Sequence, residues 1–388
     1  MRIVAIGDIG VTDDIIHIGD EAMFGALVAA VRRRGVDHVT GISSSPAESA
    51  ERYGIGAVEP IGFGRDRAAN EERRGRVIRA ARGEGTLDPA DPALAVIEAV
   101  RAADGVIVAG GGNMTSLWSH HVFERATLGA IAAALGKPLV VTGQTIGPEL
   151  DDADGALVAE LLSSARLVGL REASSHALVE RLGVTSRFEQ TVDDASHLLD
   201  DEAARGDYCL VSLASHVGDA DRDAVVRETA ALLDGIGLPV RFLAHFGSLD
   251  PARSYGDSAM HDRVIAAMRS TATVITPTNP ETAARLAREA AFVVSSRYHP
   301  VVFAVPAGVP VLGIPVDEYT GVKLRGALRN FGQDGVLPVE DLVAGRGAAV
   351  ASRLWAKREP IRENAARLSE EKRAASADWW DRVVAALG

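Results

Sequence analysis

Gly105-Val106-Ile107-Val108-Ala109-Gly110-Gly111-Gly112-Asn113 decides how this chain is read: an unbroken apolar run opens into three glycines and an amide. The run has the length and composition of a strand, and helical patterns lie on both sides of it. Glycines at its end let the backbone turn with positive φ and come close to a ligand. A tight structural turn explains the same glycines without a ligand. The loop is not G-x-G-x-x-G, and no Gly-Lys-Ser/Thr follows, so neither a dinucleotide fingerprint nor a P-loop is present. The second half of the chain repeats the plan, with Val294-Ser295-Ser296-Arg297 as its strand and small-residue loop.

Working outward, strands are expected at Arg2–Ile6, His38–Ile42, Ala57–Pro60, Gly105–Ala109, Pro138–Thr142, Leu167–Leu170 and Phe188–Thr191. In the second half they are expected at Tyr208–Leu213, Val240–Ala244, Thr273–Thr276, Phe292–Ser295 and Val311–Ile314. Strands alternating with helices predict parallel α/β layers. A length of 388 residues exceeds what one core usually supports, so two domains are expected. We expect a lobe over 1–203, a second over 204–345 and a helical tail over 346–388, with a linker around Asp200–Asp207. The tail, from Ile361 to Leu387, reads as an amphipathic helix after Pro360.

Composition excludes several classes. The net charge is −12, which disfavours nucleic acid and anionic lipid surfaces as partners. The single cysteine, Cys209, permits no internal disulfide and reads as a buried strand thiol. No leader pattern opens the chain and no apolar run is long enough for a membrane span, so the expected compartment is the cytoplasm. His120-His121 lacks metal-ligand spacing and reads as structural or surface histidine, and no metal or cofactor is expected. Arg65–Arg82 carries both charge signs and reads as a solvated helix, or else as a flap over an anionic ligand.

Five motifs sit where chemistry is plausible in such folds. Gly19-Asp20-Glu21, preceded by His17-Ile18, opens a helix, with Asp20 as its expected N-cap; a helix start favours an anion, and acidic caps are the simpler reading. Gly110–Asn113 and Gly143-Gln144-Thr145-Ile146-Gly147-Pro148 follow strands, where ligands of open α/β sheets bind. Arg171-Glu172-Ala173-Ser174-Ser175 pairs a guanidinium suited to phosphate or carboxylate with small hydroxyls, and a surface ion pair and a capping serine would give the same residues. Arg297-Tyr298-His299 sets a fixed cation beside a titratable imidazole; on a strand-like segment the two would share a face. Taken alone, it is equally a satisfied structural pair.

The order of these motifs resembles the polysaccharide pyruvyl transferase family, over roughly residues 1–330. The resemblance is carried by Ile18-Gly19-Asp20-Glu21, Gly110-Gly111-Gly112, Gly143–Pro148, Arg171–Ser175, Val192-Asp193-Asp194, Arg297-Tyr298-His299, Gly308-Val309-Pro310 and Lys323. The chain departs from the family at His17, where an Asn is frequent, and in the Arg-rich insertion Ile61–Asp91. The resemblance implies a GT-B-like pair of Rossmann-type lobes with an interlobe cleft. It implies phosphoenolpyruvate as donor and a glycan or lipid-linked sugar as acceptor, giving a cyclic pyruvate ketal and phosphate. By similarity His299 is the acid, and Arg297 and Arg171 grip the donor. Gly111, Gly112, Asn113, Gln144, Ser174, Lys323, Asp20, Glu21 and His17 are the further expected substrate contacts. A GT-B glycosyltransferase using a nucleotide sugar is the alternative, and a sugar- or phosphate-binding regulator a third reading. A homo-oligomer is compatible with the sequence.

Overall fold

The computed structural model describes residues 1–199 and 204–388. The first nine strands are β1 (Arg2–Ile6), β2 (Ile15–His17), β3 (His38–Ile42), β4 (Gly56–Val58), β5 (Gly105–Val108), β6 (Gly111–Met114), β7 (Leu139–Ile146), β8 (Leu167–Leu170) and β9 (Phe188–Gln190). Six follow: β10 (Cys209–Ser212), β11 (Val240–Leu243), β12 (Phe246–Ser248), β13 (Ala272–Ile275), β14 (Phe292–Ser295) and β15 (Val311–Gly313). Internal contacts divide the chain into two compact units. Unit 1 comprises Met1–Thr12, Met23–Asp194 and Ala375–Gly388, and unit 2 comprises Asp13–Ala22 and Ala195–Ala374. The expected linker and the boundary after residue 203 fall partly on residues 200–203, outside the described residues.

Unit 1 holds a parallel sheet in the order β4-β3-β1-β5-β7-β8-β9, with β6 on β7. The order reverses between β1 and β5, and the crevice outside the carboxyl ends there is where open α/β sheets bind ligands. Val106, Ile107 and Val108 of β5 are fully buried, as an interior parallel strand requires. Trp379, Trp380, Val383 and Leu387 of the C-terminal helix pack into one face beside Ile3, Ala5 and Val31. That helix runs Arg358–Leu387, so Pro360 lies inside its first turn rather than before it; a first-turn proline sacrifices no helical hydrogen bond.

The charge-rich stretch after β4 is a packed helix, Arg67–Ala81, and not a free flap. Val77 and Ala81 are buried, and three of its arginines pair with neighbouring carboxylates: Arg67 with Asp154 at 2.8 Å, Arg74 with Glu160 at 2.6 Å and Arg73 with Asp91 at 2.9 Å.

Unit 2 holds a parallel sheet in the order β13-β11-β10-β14-β15. Its reversal lies between β10 and β14. Cys209 in β10 is fully buried, which pushes its thiol pKa up and leaves it inert. The segment Asp13–Ala22 joins this unit through antiparallel pairing of β2 with β12. Asp13 and Asp14 start the segment with φ of 51° and 61°, a left-handed turn that short polar side chains tolerate.

Three short strands escape sequence reading, namely β2 (Ile15-Ile16-His17), β6 (Gly111-Gly112-Asn113-Met114) and β12 (Phe246-Gly247-Ser248), because none is an apolar run bounded by turn residues. The Gly143-Gln144-Thr145-Ile146 stretch is not a loop but the end of β7, with a register shift between Val141 and Gln144 that Gly143, at φ 48°, absorbs. The helix after β2 begins at Ile18, so Asp20 stands in its first turn instead of capping it.

Candidate active site

At the unit 2 reversal, β14 ends at Ser295 and a helix begins at Tyr298, with Arg297 as its N-cap residue. The strand-like geometry expected for Arg297 and His299 is therefore replaced by a strand-to-helix turn. The Arg297 guanidinium forms a bidentate pair with Asp257, Nε donating at 2.9 and 3.0 Å and Nη2 at 2.5 Å. Asp257 is fully buried and also accepts from the backbone N–H groups of His245 at 3.2 Å and Phe246 at 3.0 Å. Arg297 is 30% exposed, and a guanidinium carries five donors, so the pair does not exhaust it.

His299 meets the start of the helix Ile18–Arg32. A Cβ on Gly19 would stand 1.7 Å from His299 Nδ1, inside the imidazole, so glycine is the residue that fits there. Gly19-Asp20 and Arg297-Tyr298-His299, some 280 residues apart in sequence, thus belong to one cluster. Asp20 is partly exposed, with a carboxylate 3.8 Å from His17 Nδ1. Glu21 is buried. His17 stacks on Phe246 at 4.1 Å, and the Arg297 guanidinium lies 5.7 Å from that ring. Lys323 places its ammonium 3.7 Å from the Tyr319 ring and 5.8 Å from that of Tyr298. Beneath them His245 is buried, its Nδ1 3.1 Å from Ser212 Oγ. Burial, then repulsion from His299, lowers its pKa to about 3, so it is a neutral imidazole at neutral pH. Its Nε2 has no hydrogen-bond partner among the described residues.

At the unit 1 reversal, Asn113 Nδ2 donates to Asp8 Oδ2 at 3.3 Å. His121 Nε2 lies 3.9 Å from the same carboxylate, and the His120 and His121 ring centroids are 4.2 Å apart. Burial lowers the His121 pKa to about 4 although Asp8 opposes the shift. A Cβ on Gly111 would lie 3.3 Å from both Asn113 Oδ1 and Gln144 Nε2, and Gly112 is the half-buried residue between them. Gln144 is buried and braces this loop by donating to Ala109 O.

The remaining expected contacts differ in their surroundings. Arg171 is 2% exposed and donates to Asp193 Oδ2 at 2.6 Å and Thr145 Oγ1 at 2.7 Å. Ser174 is exposed, whereas Ser175 is buried and accepts from Ile146 N at 2.8 Å. Asp194 lies against Gly110 and Gly143, where any Cβ would come within 2.9 Å of its carboxylate, and it accepts from Thr142 Oγ1 at 2.7 Å. One glycine of each loop is thus explained by room for Asp194.

Burial raises the Asp194 pKa to about 7, with Thr142 opposing. A carboxyl whose folded pKa exceeds its unfolded value of about 3.9 supports folding while protonated. That support is complete below about pH 4 and drains away as pH rises to about 7. Asp194→Asn is expected to remove this pH-dependent loss, on the order of 4 kcal/mol. Melting temperatures of both proteins across that range check it; parallel curves would refute the assignment.

Sequence reading missed Asp8, His245, Phe246 and Asp257. Asp8 follows β1 directly and could have been found from its place at a strand end; the others carry no local pattern. Among the described residues no cluster of three His, Cys, Asp or Glu side chains could hold a metal, and no helix is long and apolar enough to cross a membrane.

A profile described as polysaccharide pyruvyl transferase matches residues 17–318. No curated protein matches the chain. Among solved structures, MurG of Acinetobacter baumannii is 13% identical, with 98% of this chain and 100% of that one covered and a TM-score of 0.55. The calicheamicin glycosyltransferase CalG4 is 16% identical, with 100% and 98% covered and a TM-score of 0.55. The S. aureus MnaA-UDP co-structure is 13% identical, with 95% and 94% covered and a TM-score of 0.60. At such identities the likeness shows the fold alone, a GT-B-like chain of two α/β lobes with parallel sheets.

Proposed function

The chain belongs to the polysaccharide pyruvyl transferase family, a family of transferases, and from that premise we propose that it moves the enolpyruvyl group of phosphoenolpyruvate onto two hydroxyls of a sugar. The observation that carries the reading is the packing of His299 on Gly19 with Arg297 and Lys323 in the same unit 2 cluster. An acid, two cations and a helix start suit a donor that is a dianionic enol phosphate bearing a carboxylate.

In this reading His299 protonates C3 of the donor, and C2 becomes the electrophile. One sugar hydroxyl adds to C2 and gives up its proton. The second hydroxyl then displaces phosphate from C2 and loses its own proton, closing the cyclic ketal. One released proton restores His299 and the other leaves with phosphate or solvent. Arg297 and Lys323 hold the carboxylate and the departing phosphate, orienting the donor and stabilising developing charge. His17, Asp20 and Glu21 shape the His299 side, and buried His245 keeps that side free of a second positive charge. We assign sugar contacts to unit 1, to Gly111, Gly112 and Asn113 with Asp8 and His121. Arg171, Gln144 and Ser174-Ser175 support that loop. The reaction is set in the cytoplasm, on a glycan or a lipid-linked sugar.

The test is phosphate release from phosphoenolpyruvate across a panel of glycan acceptors, with donor binding followed by calorimetry. Acceptor-dependent release is the expected result. Absence of donor binding together with thermal stabilisation by UDP- or GDP-sugars would assign the chain to nucleotide-sugar chemistry instead.

A further inference from the structure

Asp8 stands just past the end of β1, at the edge of the unit 1 sheet where the strand order reverses. Its backbone is pinned through the next residue: Ile9 O accepts from Ser44 N at 3.1 Å, Ser44 Oγ at 3.1 Å and Ser43 Oγ at 3.3 Å. The Asp8 side chain is 45% exposed, whereas Asn113 beside it and Arg125 behind His121 are buried. The carboxylate is thus held by a fixed frame and still open to a ligand.

The hydrogen bonds around Asp8 decide which atoms carry protons. Arginine has no acceptor, so Arg125 Nη1, 3.4 Å from His121 Nδ1, makes that nitrogen the bare one. The proton of the neutral ring then sits on Nε2, which lies 3.9 Å from Asp8 Oδ2. Burial agrees, since it holds His121 neutral at neutral pH. Asn113 turns its amide N–H to the same oxygen at 3.3 Å. Both neighbours present N–H groups, and Asp8 is the acceptor between them.

Other titratable groups of this edge are committed elsewhere. His121 already carries a proton on the nitrogen that faces Asp8, and its bare nitrogen is turned to Arg125. Glu124 is buried and accepts from the backbone N–H groups of Ile61 and Gly62. Asp194 lies against Gly110 and Gly143 and accepts from Thr142. His120, whose ring lies against that of His121, is the competing imidazole.

We propose that Asp8 is the general base of the transfer, taking the proton of the sugar hydroxyl that adds to C2 of the donor; the assignment rests on the pyruvyl transfer reading above. The hydroxyl oxygen forms the O–C2 bond with a lone pair. Its O–H bond breaks, the bonding pair stays on that oxygen, and the proton passes to an Asp8 carboxylate oxygen. Asp8 is then a neutral carboxylic acid, and its proton leaves to water at the exposed face. Addition to an electron-poor C2 makes the attacking oxygen an oxonium, a far stronger acid than a carboxylic acid, so an ordinary carboxylate suffices. Asn113 and His121 are positioning residues, which hold Oδ2 through their N–H groups.

Initial rates of phosphate release from phosphoenolpyruvate by the full chain test the assignment, with the methyl glycosides of glucose, galactose and mannose as acceptors. Asp8→Asn keeps an acceptor for both N–H groups. It is expected to lower kcat by about a hundredfold to ten-thousandfold, with the acceptor KM and the calorimetric donor affinity little changed. Asp8→Ala opens room for a small carboxylate, and excess formate is expected to restore its rate by about tenfold or more. His120→Gln is expected to keep most of the wild-type rate, and circular dichroism checks that each variant is folded. A raised acceptor KM at unchanged kcat in Asp8→Asn makes Asp8 a sugar grip and overturns the base. So does an Asp8→Ala protein that formate leaves unmoved, or a loss in His120→Gln that matches the loss in Asp8→Asn. Wild-type protein that binds no donor and releases no phosphate removes the transfer reaction itself, a result read before any variant is compared.

Discussion

Gly19→Ala is expected to lower turnover by about a hundredfold to ten-thousandfold, the range that a positioned proton donor contributes. The added methyl would lie 1.7 Å from His299 Nδ1 and 2.3 Å from Cγ, so the imidazole must leave its place or the helix start must move. The helix itself gains from the change, because alanine is the better helix former by about 1 kcal/mol. Stability and activity are therefore expected to part company, with the fold retained and the chemistry lost. His299→Ala is expected to cause a loss of similar size. The double variant should then be no slower than the worse single one, since both remove one positioned group. Initial rates of phosphate release for the four proteins decide it. Additive losses would mean that Gly19 acts apart from His299, and an active Gly19→Ala protein would remove the imidazole from the mechanism.

The sequence made both partners of that contact legible, but not the contact. Gly19 announced itself as a helix start and His299 as a strand-end histidine, because both signals are local. Their meeting depends on β2 pairing with β12, two strands of three residues each, whose pattern is too short to read. The same division runs through the rest of the molecule. Unbroken apolar runs such as those of β5 and β14 were readable, as were the loops that follow them. The bulged end of β7 was not, since its polar residues are buried by neighbours that only the assembled sheet supplies. Arg171 shows the converse limit. Its place at a strand end makes it a candidate ligand contact, and no one-dimensional rule supplies its burial beside Asp193. His245 and His121 also lay beyond reach, because what sets their proton affinity is burial and a distant charge.

Asp257 makes the second large expectation. Its carboxylate, fully buried, receives the Arg297 fork and two backbone N–H groups from the segment that leads into β12. Asp257→Ala strands all of these donors at once. Breaking a buried pair by removing one partner costs about 3–5 kcal/mol, and Arg297, at 30% exposed, recovers part of that from water. A loss near 3 kcal/mol lowers the melting temperature of a unit this size by roughly 6–12 °C. Asp257→Asn keeps an acceptor for the backbone donors and should cost less. Activity should fall in both, because a guanidinium no longer fixed by two parallel hydrogen bonds orients an anion poorly. The split between the variants is the diagnostic: Asp257→Asn is expected to be the more stable of the two and still impaired in donor affinity. Full donor affinity in Asp257→Asn would show that Arg297 binds without its buried partner, and that Asp257 serves only to hold the β12 segment in place.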